Sequence, residues 1–251
     1  MKEVALVTGA AKRIGRVIAL RLAREGWSVA VHYRSSREEA IAAQAEIESE
    51  GGRAAVFQAE LGDAEACLRL MREAGAALGP VTLLVNSASV FAPDGPWDFS
   101  ATEFDRRFAV NLRAPLLLAR GMAQALPPDQ DGAIVNILDQ RVFKPTPLFF
   151  SYALTKAALH AATAMTAQAF APRIRVNAVA PGPTLPNERQ SLEDFAQQAR
   201  ATILGAPVSP EEIAEAVVYL ARAKKVTGQT ISVDSGQRLA WETPDVAGVR
   251  E

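Results

Sequence analysis

Short apolar runs alternate along the chain with longer stretches in which alanine, leucine and charged residues recur at helical spacing. EVALVT (3–8), SVAVHY (28–33), AAVFQ (54–58), VTLLVN (81–86), GAIVNIL (132–138), IRVNAVA (174–180) and QTISVD (229–234) read as strands. Runs this apolar are buried on both faces, and their alternation with helices predicts an α/β fold, a parallel seven-stranded sheet sandwiched between two helical layers. Ser36 followed by Glu39, and Ser209 followed by Glu212, have the spacing of capping boxes, while Gly26, Gly51 and Gly79 follow predicted helix ends. No repeat, linker or boundary interrupts the pattern, so one domain is expected over 1–251. Residues 183–207 break the alternation and read as an insertion over a substrate site.

Composition narrows the function. At 49% hydrophobic the chain can bury a sizeable core, and 27 Lys plus Arg against 28 Asp plus Glu leave a net charge of −1. That balance gives no reason to expect nucleic acid or an anionic membrane as partner, and favours a small molecule. Cys67 stands alone in ACLRLMREA, which excludes an internal disulfide and suits a packed thiol; no metal-ligand cluster is visible. The first strand starts close to Met1 and no apolar run approaches the roughly 18 residues of a membrane span, so a cytoplasmic location is expected.

The first strand runs into VTGAAKRIGR (7–16), where Gly9 and Gly15 bracket a turn that opens a helix. Unpaired N–H groups at a helix start favour phosphate, so the turn is a candidate nucleotide cradle. Arg13 stands within it, replacing backbone approach by a planar fork of donors that suits a phosphate or a ring. After the second strand comes HYRSSREE: where a carboxylate would bind a ribose 2′-hydroxyl, Arg34, Ser35 and Arg37 offer two cations and a hydroxyl, which suits a 2′-phosphate and hence NADP(H). His32 reads either as a phosphate contact or as a strand end, and His160 as a core or interface residue.

Tyr152 and Lys156 in SYALTK share one helix face, where an ammonium can favour the tyrosinate and make the phenol a better acid. Asp139 in VNILDQ ends the fifth strand, and open parallel sheets bind ligands at the carboxyl ends of their strands, so it can converge with Tyr152. Asn111 completes the set as a polar residue inside a helix, where asparagine is a poor choice without a partner.

Taken together, these residues resemble the short-chain dehydrogenase/reductase family to about residue 239. Thr8, Gly9 and Gly15, Asn86 and Ala88 in NSAS, Asn111, Tyr152 and Lys156, PGPT (181–184) and VDSG (233–236) carry the likeness. Arg13 in place of the family's inner glycine, and Asp139 in place of its catalytic serine, occur together in the pteridine reductase branch, which includes a bacterial reductase of dihydromonapterin. Ser87 departs from the usual second asparagine of that turn. The resemblance implies a Rossmann-like αβα sandwich, an NADP(H) cofactor and a pterin-like substrate. It implies that Gly9, Ile14, Gly15, Tyr33, Pro181 and Gly182 bind the cofactor, that Arg13 reaches over the pyrophosphate towards the pterin, that Thr184 holds the pyrophosphate, that Arg34 and Ser35 hold the 2′-phosphate, and that Glu60 and Leu61 flank the adenine. Asn86, Ala88, Tyr152 and Lys156 would complete the cofactor site. Arg13, Ser89, Phe91, Asp139 and Tyr152 would meet the pterin, with Asp139, Tyr152, Lys156 and Asn111 forming the catalytic group. A homotetramer is expected by the same likeness. The rival readings are a ketone reductase of the 3-oxoacyl type, with Asp139 a tolerated replacement, and an inactive NADP-binding sensor.

Overall fold

The computed structural model describes residues 3–187 and 189–241; the tail beyond Trp241, for which either a role in a neighbour's pocket or fraying was expected, lies outside them. Among the described residues seven strands form one sheet: β1 (Val4–Val7), β2 (Ser28–Tyr33), β3 (Arg53–Gln58), β4 (Val81–Asn86), β5 (Gly132–Ile137), β6 (Ile174–Pro181) and β7 (Thr230–Val233). Their order is β3-β2-β1-β4-β5-β6-β7, and every pairing is parallel. The expected α/β architecture and strand count are therefore found. Because the chain returns to the other side of β1 after β3, the strand order reverses between β1 and β4, and that switch leaves a crevice at their carboxyl ends.

Helices α1 (Arg13–Arg24), α2 (Arg37–Ser49), α3 (Ala64–Leu78), α4 (Ala101–Phe108), α5 (Ala114–Ala125), α6 (Phe150–Phe170) and α8 (Pro210–Arg222) alternate with the strands. A further helix, α7 (Leu192–Arg200), lies within the 183–207 insertion. One apolar cluster joins β1, β2, β4 and β5 to α1, α2 and α8 on one face of the sheet, and another packs the opposite face against α3 and α5. Leu6, Leu84 and Ile134 are at most 1% exposed, which matches the continuous apolar runs in the sequence.

Local signals act unevenly. Ser209 and Glu212 form the expected reciprocal capping box at α8. Ser36 is the N-cap of α2 but makes no side-chain cap bond; Glu39 pairs with Lys12 at 2.6 Å instead, so that box is corrected. Gly26, Gly51 and Gly79 follow their helices at φ +97°, +80° and +108°, which glycine adopts without steric cost. Between α4 and α5 the helix widens into one π-helical turn, Ala109–Arg113, and Asn111 sits within it.

Candidate active site

The crevice at the β1/β4 switch opens into a cleft of about 1060 Å³. Its floor is the turn after β1. A Cβ on Gly9 would lie 3.0 Å from Ala88 Cα, and one on Gly15 would lie 2.3 Å from the Gly9 carbonyl oxygen, so both positions demand glycine. The Thr8 hydroxyl accepts the N–H groups of Ser87 and Ala88 at 3.0 and 3.1 Å, which braces the turn after β4 without help from an asparagine at position 87. Ile14, Ala88 and Ser89 also face the cleft.

Arg13 adopts φ +54°, the left-handed region in which glycine is the unstrained residue. Its guanidinium donates to the carbonyls of Pro186 and Leu185 at 3.0 and 3.2 Å, so it ties the first turn to the insertion. Arg13 also lines the cleft, with Nη1 and Nη2 each engaged by one backbone oxygen.

At the end of β2, Tyr33, Arg34 and Ser35 line the cleft with Ser36 and Lys12; Arg37 does not. His32 is buried, accepts the Gly9 N–H on Nδ1 at 3.0 Å and lies 3.1 Å from the Ala59 carbonyl through Nε2. One ring nitrogen accepts and the other must donate, which defines a neutral tautomer. Burial lowers its pKa to about 4, with the Ala59 bond and Glu60 opposing the shift. His32 thus borders the cleft as a strut beneath the cradle, with both ring nitrogens engaged by the backbone. Glu60 and Leu61 border the same end of the cleft, and Pro181, Gly182 and Thr184 form its wall after β6. Gly182 again admits no side chain, since a Cβ would lie 2.7 Å from Asp234 Cα.

The proton-handling groups meet on the opposite side. Asp139 follows β5 and caps a 3-10 turn, Gln140–Val142. Its Oδ1 accepts the Arg141 N–H at 2.8 Å, and its Oδ2 accepts both Arg141 Nη1 and the Tyr152 hydroxyl at 3.0 Å. Lys156 is buried one turn along α6 from Tyr152, with its Nζ donating to the Ile137 carbonyl at 2.7 Å. Burial, and then the Asp139 charge, push the Tyr152 phenol well above its ordinary range. Burial likewise lowers Lys156 to about 8, with Asp139 acting in the other direction. Arg141, and not the Lys156 ammonium, is the cation that opposes this rise of the Tyr152 phenol.

Phe91 faces the cleft, stacked on Phe149 with centroids 4.4 Å apart and edge-on to Tyr152 at 4.7 Å. The Arg141 and Arg189 guanidiniums lie 6.0 and 5.9 Å from the Phe91 centroid. Asn111 and Asn86 lie outside the lining. Asn111 holds both backbone groups of Val90, accepting its N–H at 2.8 Å and donating to its carbonyl at 3.0 Å, and donates to Thr155 at 3.1 Å. It thus positions the segment that carries Phe91. Asn86 donates to Asn136 at 2.8 Å, bracing β4 against β5. His160 lies 3.1 Å from the Thr230 hydroxyl and edge-on to Phe143, a packing role. Cys67 is buried, which pushes its thiol up to about 11 and leaves it unreactive.

Several site residues carry no sequence signal. Asp94 receives Ser151 N–H at 3.1 Å and also binds the Ser151 hydroxyl and the Arg107 guanidinium, joining the loop after Phe91 to the start of α6. Arg141, Phe149, Arg189 and this triad are assembled by tertiary contacts between distant segments. Among the described residues, no helix is long and apolar enough to cross a membrane, and no group of three or more His, Cys, Asp or Glu could hold a metal ion.

Residues 9–238 match the protein family described as enoyl-(acyl carrier protein) reductase. The 3-oxoacyl-[acyl-carrier-protein] reductase FabG of Staphylococcus aureus is 33% identical over 246 residues, covering 95% of this chain and 99% of that protein. The crystal structure of FolM alternative dihydrofolate reductase 1 from Brucella suis in complex with NADP is 48% identical, with a TM-score of 0.94 over 97% of this chain and 98% of that one. A short-chain dehydrogenase/reductase from Serratia marcescens is 33% identical, with a TM-score of 0.89 over 94% and 98% of the two chains. With this cleft at the sheet's switch point and these relatives along nearly its whole length, the chain belongs to the short-chain dehydrogenase/reductase family of oxidoreductases.

Proposed function

We propose that the protein is an NADPH-dependent reductase of a dihydropterin or related pterin. One observation carries this reading: a carboxylate, Asp139, holds the Tyr152 hydroxyl at 3.0 Å, with the Phe91 ring edge-on to Tyr152 in the same cleft. The 48% identity to FolM supports the same substrate class. The side-chain-free cradle of Gly9, Gly15 and Gly182 fits a pyrophosphate, and the cation-rich end of β2, with Lys12, Arg34 and Ser35, fits a 2′-phosphate. Glu60 and Leu61 would border the adenine, and Lys156 the ribose. When bound, NADPH supplies the hydride.

The chain's own groups select the acceptor. An ionised Asp139 accepts hydrogen bonds and cannot donate one, so it repels the oxyanion that forms from a ketone. It stabilises a C=N acceptor that takes up a proton, delivered from solvent through the Tyr152–Asp139 pair, and so becomes cationic. Tyr152 is protonated at rest, aims Asp139 by donating to Oδ2, and relays the proton that the acceptor nitrogen gains, being reprotonated from solvent; Phe91 offers a flat surface for ring stacking. Arg13 holds the 183–207 insertion, the proposed substrate lid, against the cleft through Leu185 and Pro186.

The likeness to FabG favours a second reading, reduction of a 3-oxoacyl-type ketone. NADPH consumption by purified protein, measured with a dihydropterin and with simple ketones, separates the two. Turnover of the dihydropterin at least tenfold faster supports the first, and comparable ketone turnover overturns it. NADPH binding without turnover of either class would identify an inactive sensor.

A further inference from the structure

Arg141 has no role in the reading above, yet its contacts converge on the reacting groups. Its backbone N–H and its Nη1 bind the two oxygens of Asp139, at 2.8 and 3.0 Å. Its guanidinium lies 5.3 Å from the Phe149 centroid and 6.0 Å from that of Phe91, and it faces the same cleft. The side chain is only 18% exposed, and its Nε is buried without a partner among the described residues. A cation held this far from water is screened little by salt, so its field acts on the carboxyl group it touches and on any acceptor beside it.

We infer that Arg141 is a positioning and specificity residue: its two contacts hold the Asp139 carboxyl group in one orientation and thereby commit the site to acceptors that gain positive charge. The inference deepens the pterin reading and rests on it. Asp139 has two possible lives. As a carboxylate it welcomes a protonated C=N group; as a carboxylic acid it can donate to a carbonyl oxygen, as a serine hydroxyl would. The groups around it decide which. From its own turn it meets the Arg141 cation. From α6 it meets the Tyr152 phenol, which keeps its proton, and the charge of Lys156. From the insertion, Arg189 lies beyond Phe91 and Asp194 lines the outer cleft. Arg141 is the cation in direct contact. Stacking on Phe149 holds the guanidinium in place, so charge and orientation reach Asp139 together.

The test compares wild-type protein with Arg141→Met, which keeps length and apolar packing, and with Arg141→Lys, which keeps the charge. The backbone N–H to Oδ1 survives in both. For each protein, kcat and KM are measured for a dihydropterin and a simple ketone, with NADPH affinity and thermal unfolding as controls. In Arg141→Met the expected results are a fall of at least tenfold in kcat/KM for the dihydropterin, carried mainly by kcat, and a ketone-to-dihydropterin ratio at least tenfold higher. Arg141→Lys should restore the ratio. A folded Arg141→Met protein with an unchanged kcat and an unchanged ratio overturns the inference. Should Arg141→Met fail to fold, Arg141→Gln replaces it and is judged by the same kcat and ratio. If wild-type protein prefers the ketone, the pterin reading falls by itself. The ketone kcat then decides on Arg141, since a kcat unmoved by the loss of the guanidinium overturns its role.

Discussion

Replacing Asp94 by alanine removes an acceptor shared by Ser151 and Arg107, at the point where the Phe91 loop meets the helix that carries Tyr152. The side chains of Arg107 and Asp94 are 4% and 6% exposed, so the pair is shielded from water. Alanine would leave the guanidinium buried without its counter-charge, and Arg107 Nε already lacks a partner among the described residues. Breaking a buried pair from one side costs about 3–5 kcal/mol, and the lost N–H acceptor at the start of α6 adds about 1 kcal/mol. For a chain of this size that corresponds to a fall in Tm of roughly 8–24 °C. Urea unfolding of Asp94→Ala, Arg107→Met and the double variant Asp94→Ala/Arg107→Met measures the coupling directly. The double variant should recover more than half of the single-site loss, because nothing charged is then left buried. The Phe91 loop would still be freed from α6, so KM for the substrate should stay raised after stability returns. A loss below about 1 kcal/mol in Asp94→Ala, or a double variant as unstable as the sum of the singles, refutes the reasoning.

His32 gives a pH signature. Its folded-state pKa of about 4 lies below the ordinary 6.5, so the unfolded chain binds the extra proton between those values and stability falls as pH drops through that window. The loss reaches about 3 kcal/mol near pH 4, and His32→Gln should flatten the acid limb of urea midpoints measured against pH. Arg13→Gly relieves the left-handed strain at the first turn while removing the tie to Leu185 and Pro186. Stability should change by less than about 1 kcal/mol, and substrate KM should rise at least tenfold; equal KM values in a steady-state comparison would count against Arg13 as a latch. Gly15→Ala forces a Cβ to within 2.3 Å of the Gly9 carbonyl oxygen, so NADPH affinity, read by its fluorescence, should drop at least tenfold.

The contrast between Asp139 and Arg141 marks how far the sequence could be read. Continuous apolar runs specified the strands because burial on both faces leaves no room for polar residues, and the same physics located Asp139 and Tyr152 at the carboxyl end of the sheet. Glycine at 9 and 15 was legible because only glycine tolerates backbone at such distances. Arginine gives no such signal. Arg13, Arg107, Arg141 and Arg189 are the same residue in the sequence, yet one holds carbonyls of an insertion, one is buried on Asp94, one grips Asp139 and one overlies Phe91. A long, multi-donor side chain takes its role from whatever acceptor the fold brings within reach, across separations such as the 173 residues between Arg13 and Pro186. The same rule explains His32, whose neutral, buried state depends on Gly9 and Ala59 arriving on either side of its ring. On the inference drawn from Arg141, the cation two residues after Asp139 matters to the choice of acceptor as much as Asp139 itself. Substitution at 141 should consequently redirect the reaction while leaving the cofactor cradle intact.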